Sequence, residues 1–287
     1  MPSSPESLDV LRARIDEIDD RLHALLMERT AVVGQVAAAK EATPGISSLR
    51  PGREAAILRR LMAAHHGPLG RGTVVRIWRE LITSQLMVQT PLAVAVYVPH
   101  GEASFWDLAR DHFGSHAPMT PCRSIGQVLS AVADSATTVG VVPMPQQGDT
   151  DPWWRGLLAR DATAPRVFAR LPFGPRGNAR TEGGDALAIG RVPVEPTGAD
   201  RSLLIVESGG GTSRGRLISC LGGAGLPCTF VAAPESRPEA SLFLVEVEGF
   251  VTPEDERLRS FLDQVGETVG LVQPSGAYAV PLGETDA

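Results

Sequence analysis

A chain of 287 residues with a net charge of −6, 43% hydrophobic and 21% charged, has the length of two or three domains and an ordinary globular composition. That balance excludes a wholly disordered chain and gives no basic footprint for nucleic acid. No apolar run approaches the roughly 20 residues that cross a bilayer, the longest being residues 92–98. The first residues lack the basic and apolar regions of a secretory signal, so a cytoplasmic protein without a membrane partner is expected. Cys122, Cys220 and Cys228 are odd in number and not at metal-ligand spacing. They read as reduced thiols, and neither a metal nor a cofactor is expected. The first 90 residues carry a slight excess of cations and the remainder carries the acidic balance. This is compatible with a small anionic ligand on the first part, although solvated helix faces are the commoner cause.

In chain order, the first element is a long helix, with Ser4 as N-cap, Pro5 at its first position and Thr43-Pro44-Gly45 as its stop. Leu8, Leu11, Ile15, Ile18, Leu22, Leu25, Val32, Val33 and Val36 recur at gaps of mainly three and four, which marks one stripe. At about 1.5 Å per residue the helix is a rod of roughly 55 Å, longer than a small domain is wide. Its stripe therefore implies a partner chain. A second helix is expected over residues 51–64. A third is expected over 73–89, ending at Pro91, with Val74, Ile77, Trp78, Leu81 and Ile82 inward.

After Pro91 the texture becomes α/β. A strand at 92–98, helices at 104–113 and 125–133 and a strand at 138–142 are expected. Residues 172–200 are rich in Pro and Gly and read as loop or linker. The last 87 residues alternate as strand 203–206, helix 213–221, strands 228–232 and 241–247, helix 253–265 and strand 271–273. That β-α-β-β-α-β order is ferredoxin-like. The expected organisation is an all-α domain at 1–90, an α/β region with its linker at 91–199, and a ferredoxin-like module at 200–287.

Chemistry concentrates in the first domain. Arg29 stands in register with the apolar stripe, and Lys40 continues the line about three turns on, about 16 Å away. Two long cations at that separation can converge on one ligand. Arg12 is about 25 Å from Arg29, too far to share the site from the same chain, but an antiparallel partner can supply it. The second helix opens with Arg53-Glu54, and the third places Gln85 and Gln89 in line with Trp78, Leu81 and Ile82. A buried amide without a partner costs about 1–3 kcal/mol, so amides on that face call for a ligand or a network. Singly, each residue has a bland reading: a snorkelling arginine, a charged first turn, surface glutamines. Together they suit a small dicarboxylate bearing a hydroxyl.

The motifs Leu11-Arg12-Ala13-Arg14-Ile15-Asp16, Leu25-Leu26-Met27-Glu28-Arg29, Ala38-Ala39-Lys40, Arg50-Pro51-Gly52-Arg53-Glu54 and Leu81-Ile82-Thr83-Ser84-Gln85-Leu86-Met87-Val88-Gln89 follow in that order. In this, residues 8–90 resemble the all-helical chorismate mutase family from end to end. The resemblance implies a homodimer through the helical domain, with chorismate as substrate and prephenate as product. It implies that Arg29, and Arg12 of the other subunit, hold the two substrate carboxylates. Lys40 and Gln89 would hydrogen-bond the ether oxygen, and Glu54 the ring hydroxyl, with Arg53 beside it. Two positions depart from the family pattern: Arg50 replaces a frequent aspartate, and Gln85 a serine. Lys40, Gln89 and Arg29 are the expected catalytic residues. The rearrangement is intramolecular, so folding the substrate and stabilising charge on the ether oxygen is the whole task. A glutamine rather than a glutamate at position 89 implies activity at neutral pH.

Residues 91–200 resemble part of a prephenate dehydratase, in Val94-Ala95-Val96-Tyr97-Val98-Pro99-His100-Gly101-Glu102-Ala103-Ser104-Phe105 and Thr138-Val139-Gly140-Val141-Val142-Pro143. The Glu-Asn-Ser that should follow reads Met144-Pro145-Gln146-Gln147. The Ser-His-Pro stretch is absent, and the Thr-Arg-Phe has only an echo in Asp200-Arg201-Ser202. A degenerate dehydratase region is expected. Residues 200–282 resemble the amino-acid-sensing ACT module in Glu235-Ser236-Arg237-Pro238, with the Gly-Ala-Leu turn falling near Thr212-Ser213-Arg214. The resemblance implies an aromatic amino-acid effector there or, equally, a dimerising module without one. Alternatives to a plain mutase are a bifunctional mutase and dehydratase, a pyruvate lyase on the same helices, and a non-catalytic regulatory partner of a shikimate-pathway enzyme.

Overall fold

The computed structural model describes residues 6–41, 47–99, 103–149, 152–158, 164–178, 183–209, 212–233 and 240–283. Three helices come first: α1 (Leu8–Glu41), α2 (Pro51–Ala64) and α3 (Arg71–Gln89). Proline in the first turn of α2 lacks only an N–H that has no helical partner there, and Glu54 favours the positive end of the same helix. The expected cap and stop of α1, Ser4-Pro5 and Thr43-Pro44-Gly45, lie outside the described residues.

The three helices are covered unequally. Along α1 the stripe is bare: Leu22 is 53% and Leu25 59% exposed. By contrast α2 and α3 bury Leu58, Met62, Val74 and Val75 against Phe173 of the following region. Leu49 and Leu86 join a core with Leu92, Phe113 and Phe168. Each such side chain contributes about 1.5–3 kcal/mol on burial. The Arg59 guanidinium fastens the same interface, donating to Thr197 Oγ1 at 2.8 Å, Ala199 O at 2.8 Å and Val280 O at 2.9 Å. One inward assignment on α3 fails. Ile77 is exposed while Arg79 and Thr83 are buried, because α3 packs between α1 and the α4 side of the next region rather than on α2 alone.

That next region contains β1 (Ala93–Tyr97), α4 (Ser104–Phe113), β2 (Met119–Cys122), α5 (Ile125–Asp134) and β3 (Thr138–Pro143). β1 pairs in parallel with both β2 and β3, which the helical crossovers α4 and α5 make possible. A 3₁₀ turn at Trp153–Leu157 buries both of its tryptophans. Then come β4 (Arg166–Leu171) and β5 (Ala186–Gly190), antiparallel to one another, with β5 antiparallel to β3. β5 lies inside the stretch whose Pro and Gly content reads as linker. It is a strand because its five residues are buried on both faces of the sheet, a setting that leaves no alternation to see.

The remaining elements are β6 (Asp200–Gly209), α6 (Arg214–Gly223), β7 (Cys228–Ala232), β8 (Ala240–Glu248), α7 (Glu256–Val265) and β9 (Val269–Ala279). Their strand order β9-β6-β8-β7, antiparallel throughout, is ferredoxin-like. β9 is far longer than the expected 271–273 because its second half still pairs with β6 while also reaching β4. At that joint Gly276 has φ +143, and a Cβ there would stand 2.1 Å from Val167 O. Only glycine permits the approach, which merges both halves into one nine-stranded sheet of order β2-β1-β3-β5-β4-β9-β6-β8-β7. Among the described residues no helix is long and apolar enough to cross a membrane.

Candidate active site

The last turns of α3, the second half of α1 and the first turn of α2 enclose a cleft of about 410 Å³. Arg29, Lys40, Arg53, Glu54, Gln85 and Gln89 all line it, over an apolar floor that includes Val33, Ile57 and Ile82. Six of the seven expected site residues are thus brought together, from three helices. Arg12 is not among them. It is exposed, pairs with Asp9 one turn away at 3.5 Å, and lies beyond the reach of its own chain's cleft.

The amides form a relay. Lys40 Nζ donates to Gln89 Oε1 at 3.1 Å, and Gln89 Nε2 donates to the main-chain carbonyl of Gln85 at 3.2 Å. Gln85 Nε2 in turn donates to Thr30 Oγ1 at 3.1 Å. These bonds hold the ammonium against the Gln89 side-chain oxygen, and the donors left for a ligand are the remaining Lys40 protons and the second Gln89 Nε2–H. Arg29 Nη1 and Gln85 Oε1 are buried without a hydrogen-bond partner among the described residues. Such groups cost about 1–3 kcal/mol each until a ligand satisfies them. An arginine donor left open in a cleft is the arrangement that takes a carboxylate.

The electrostatics agree. Burial, and secondarily Arg53, holds Arg29 below its ordinary value. Burial followed by Arg50 and Arg53 does the same to Lys40. Cations that depress one another across a cleft are relieved by an anion. Burial pushes the Glu54 carboxyl up, opposed by Arg79, whose Nη1 donates to Glu54 Oε2 at 2.8 Å. Glu54 is therefore fixed from behind and its other oxygen is left for the cleft. Arg79 is itself buried, with its guanidinium 5.1 Å from the centroid of Phe173.

Arg79 was missed from sequence. Its signal was an arginine at the buried spacing of Val75, Ile82 and Leu86. Arg50, read from sequence only as a departure, also lines the cleft, and Glu195 holds it in an ion pair at 2.7 Å. The Glu235-Ser236-Arg237-Pro238 motif and His100-Gly101-Glu102 lie outside the described residues. Among the described residues no group of three or more His, Cys, Asp or Glu side chains is placed to hold a metal. The cleft provides cations and amides around an apolar floor. Its competence is to bind, fold and polarise a small anionic molecule.

Residues 11–90 match the family model of chorismate mutase type II. Across 143 residues the chain is 37% identical to a bifunctional chorismate mutase/prephenate dehydratase of Pseudomonas aeruginosa, covering 48% of this chain and 39% of that one. Across 146 residues it is 36% identical to the protein of that description from Stutzerimonas stutzeri, covering 50% and 40%. The chain thus spans about two fifths of the length of these curated relatives. Among solved structures, a prephenate dehydratase from Streptococcus mutans aligns with a TM-score of 0.46 and 16% identity, over 66% of this chain and 98% of that one.

Proposed function

We propose that the protein, with residues 1–90 as its catalytic unit, rearranges chorismate to prephenate in the synthesis of aromatic amino acids. The observation that carries this is the cleft itself: Arg29 with an open donor, and Lys40 beside Gln89, in a helical domain that matches the chorismate mutase type II family. In this reading Arg29 takes one substrate carboxylate, and Arg12 from a second copy takes the other. Arg29 is assisted by Arg53. Lys40 Nζ and Gln89 Nε2 approach the ether oxygen as the C–O bond breaks and negative charge grows there. The main-chain carbonyl of residue 85 holds Gln89, and the Glu54 oxygen not engaged by Arg79 accepts from the ring hydroxyl. No bond to the protein forms and no proton is transferred. The rate gain comes from folding the enolpyruvyl arm over the ring and from donors already aimed at the developing charge.

Homodimerisation belongs to the same proposal. The bare stripe of α1 needs a cover, and a second copy would bring Arg12 to the cleft. We place the protein in a reducing cytoplasm with Cys122, Cys220 and Cys228 as free thiols. A second reading adds prephenate dehydration. It is favoured by the names of the relatives, whose aligned stretches run well beyond the mutase match. We assign residues 91–199 a scaffolding role instead, because Met144-Pro145-Gln146-Gln147 stands where that activity expects Glu-Asn-Ser. An aromatic amino-acid effector on the 200–287 module remains part of either reading.

Chorismate turnover at neutral pH tests both, with each sample divided and one half acid-treated before phenylpyruvate is assayed. Phenylpyruvate only after acid means prephenate accumulates, as proposed. Phenylpyruvate without acid establishes the bifunctional reading. Undiminished chorismate overturns both.

A further inference from the structure

A second cavity, of about 650 Å³, lies where β4 and β5 meet the module, away from the helical cleft. Its cationic wall is Arg166 and Arg191, and its apolar wall includes Val192, Phe250, Val251 and Ala277. Register pairs Arg166 with Gly190, so the two arginines stand at the same end of the β4–β5 ladder. Arg166 Nη1 donates to Pro274 O at 2.9 Å, and Arg191 Nη2 donates to Ala133 O. Arg191 Nε is buried with no acceptor, and neither guanidinium meets a carboxylate among the described residues. Two arginines beside an apolar wall, one with an unspent buried donor, suit an anion with a hydrophobic body. The volume falls within the range of small-molecule sites, about 300–1,000 Å³.

The cavity and the helical cleft have no lining residue in common, but their walls are neighbours in sequence. Ser47 lines the cavity, while Ser48, Arg50 and Arg53 line the cleft. On the facing strip Val194 lines the cavity, and the next residue, Glu195, holds Arg50 through contacts of 2.7 and 3.0 Å. The two strips are in close contact. A Cβ added at Gly52 would lie 3.3 Å from Glu195 O and 3.2 Å from Thr197 Cγ2. A molecule that moves residues 191–194 therefore displaces Glu195, and with it a cation that bears on Lys40. This site is not at the turn near Thr212-Ser213-Arg214. β6 runs away from the joint toward that turn, whereas Phe250 and Val251 follow the end of β8 that pairs with the start of β6.

We propose that this cavity is a second ligand site, for a small organic acid with an apolar body, and that its occupancy is transmitted to the helical cleft through Glu195 and Arg50. The acid's carboxylate takes the Arg191 and Arg166 donors, and its body lies on Val192, Phe250 and Val251. The transmission half rests on the mutase reading, and the binding half does not.

Calorimetry on the full chain with 3-phenylpropionate tests binding, with uncharged 3-phenylpropan-1-ol as control. Saturable binding of the acid and at least tenfold weaker binding of the alcohol are expected. Arg191→Gln, which keeps a donor for Ala133 O, should weaken the acid at least tenfold. Thr252→Trp, which fills the mouth of the cavity and leaves Arg191 in place, should do the same. Lys40→Ala should leave the affinity unchanged. No saturable heat overturns the site, as does binding retained in Arg191→Gln but lost in Lys40→Ala, which assigns the acid to the helical cleft. For transmission, the acid should shift the chorismate KM of the parent chain at least threefold, and Glu195→Gln should abolish that shift while keeping the acid's affinity. Binding without any change in chorismate KM overturns the transmission and leaves the site standing. Heats unaccompanied by any chorismate turnover separate failure of the mutase reading from failure of the site.

Discussion

α1 and α3 carry the same kind of apolar stripe, and the fold treats them oppositely. Along α3 the stripe is pressed between α1 and the α/β region, burying Val75, Ile82 and Leu86 together with Arg79. Along α1 it faces solvent, from Leu8 at 69% exposure to Val36 at 43%. The cleft lies between the two, so one wall is fixed by the sheet and the other, within one chain, is a rod covered on one side only. A hydrophobic period states that a helix has a face to hide. It does not state whether the cover comes from its own chain.

The fixed wall offers the largest effect. Arg79→Ala removes one member of a buried pair and leaves the Glu54 carboxyl buried without its partner, which should cost about 3–5 kcal/mol in denaturant unfolding. The double variant Arg79→Met with Glu54→Leu should recover most of that stability but not chorismate affinity. If the single variant loses under 1 kcal/mol, the pair does not hold this wall together. Lys40→Ala acts on the other wall, and its effect is kinetic. Loss of one preorganised donor should lower kcat about 10²–10³-fold with no change in unfolding midpoint. Unchanged turnover would remove the proposed site.

A smaller effect tests what covers α1. Leu25→Ala should leave the isolated fold intact, since Leu25 is 59% exposed, yet weaken self-association by about 1.5–3 kcal/mol per protomer in sedimentation equilibrium. Leu58→Ala on α2, fully buried, should instead cost about 2–5 kcal/mol of stability. If Leu25→Ala leaves the association constant unchanged, or the parent chain is monomeric, then α1 is covered by something other than a second copy and Arg12 has no route to the cleft.

How much of this was legible follows the same division. Local patterns were readable: Pro51 and Ala64 bound α2, Ser104 and Phe113 bound α4, and the β-α-β-β-α-β order of the module stood in its alternation. Six cleft residues were readable too: helical spacing sets which side chains share a face for Arg29 and Lys40 and for Gln85 and Gln89, and the family resemblance added Arg53 and Glu54. Features created by tertiary contact were not. β5 has no alternation because both its faces are buried, and β2 carries a proline that argues against a strand until its edge position is known. Arg79 is not singled out by sequence because the carboxylate that neutralises it lies 25 residues away on another helix. The strip whose Glu195 pairs with Arg50 came from residues read as linker, and nothing in a Pro- and Gly-rich run announces which helix it will lie against.

The smallest effect is a matter of protons, and it compares the two donors proposed for the ether oxygen. The Gln89 amide has no titration in the working range, so turnover should not rise as pH falls below neutrality. Lys40 does titrate, and burial with Arg50 and Arg53 holds its ammonium below the ordinary lysine value. The protonated form is the one that donates, so activity is complete below that depressed value. It is lost as pH rises through it, before an ordinary lysine would discharge. Removing a neighbouring cation should push the limb back: Arg50→Gln, measured as kcat/KM against pH, should move the alkaline fall to higher pH. Gln89→Glu should create a second dependence, with turnover rising as pH falls, because a carboxylate must be protonated before it can donate to the ether oxygen. An alkaline limb that ignores Arg50→Gln would mean that the pH dependence does not come from Lys40. Gln89→Glu with a flat acid side would mean that residue 89 does not touch the oxygen at all.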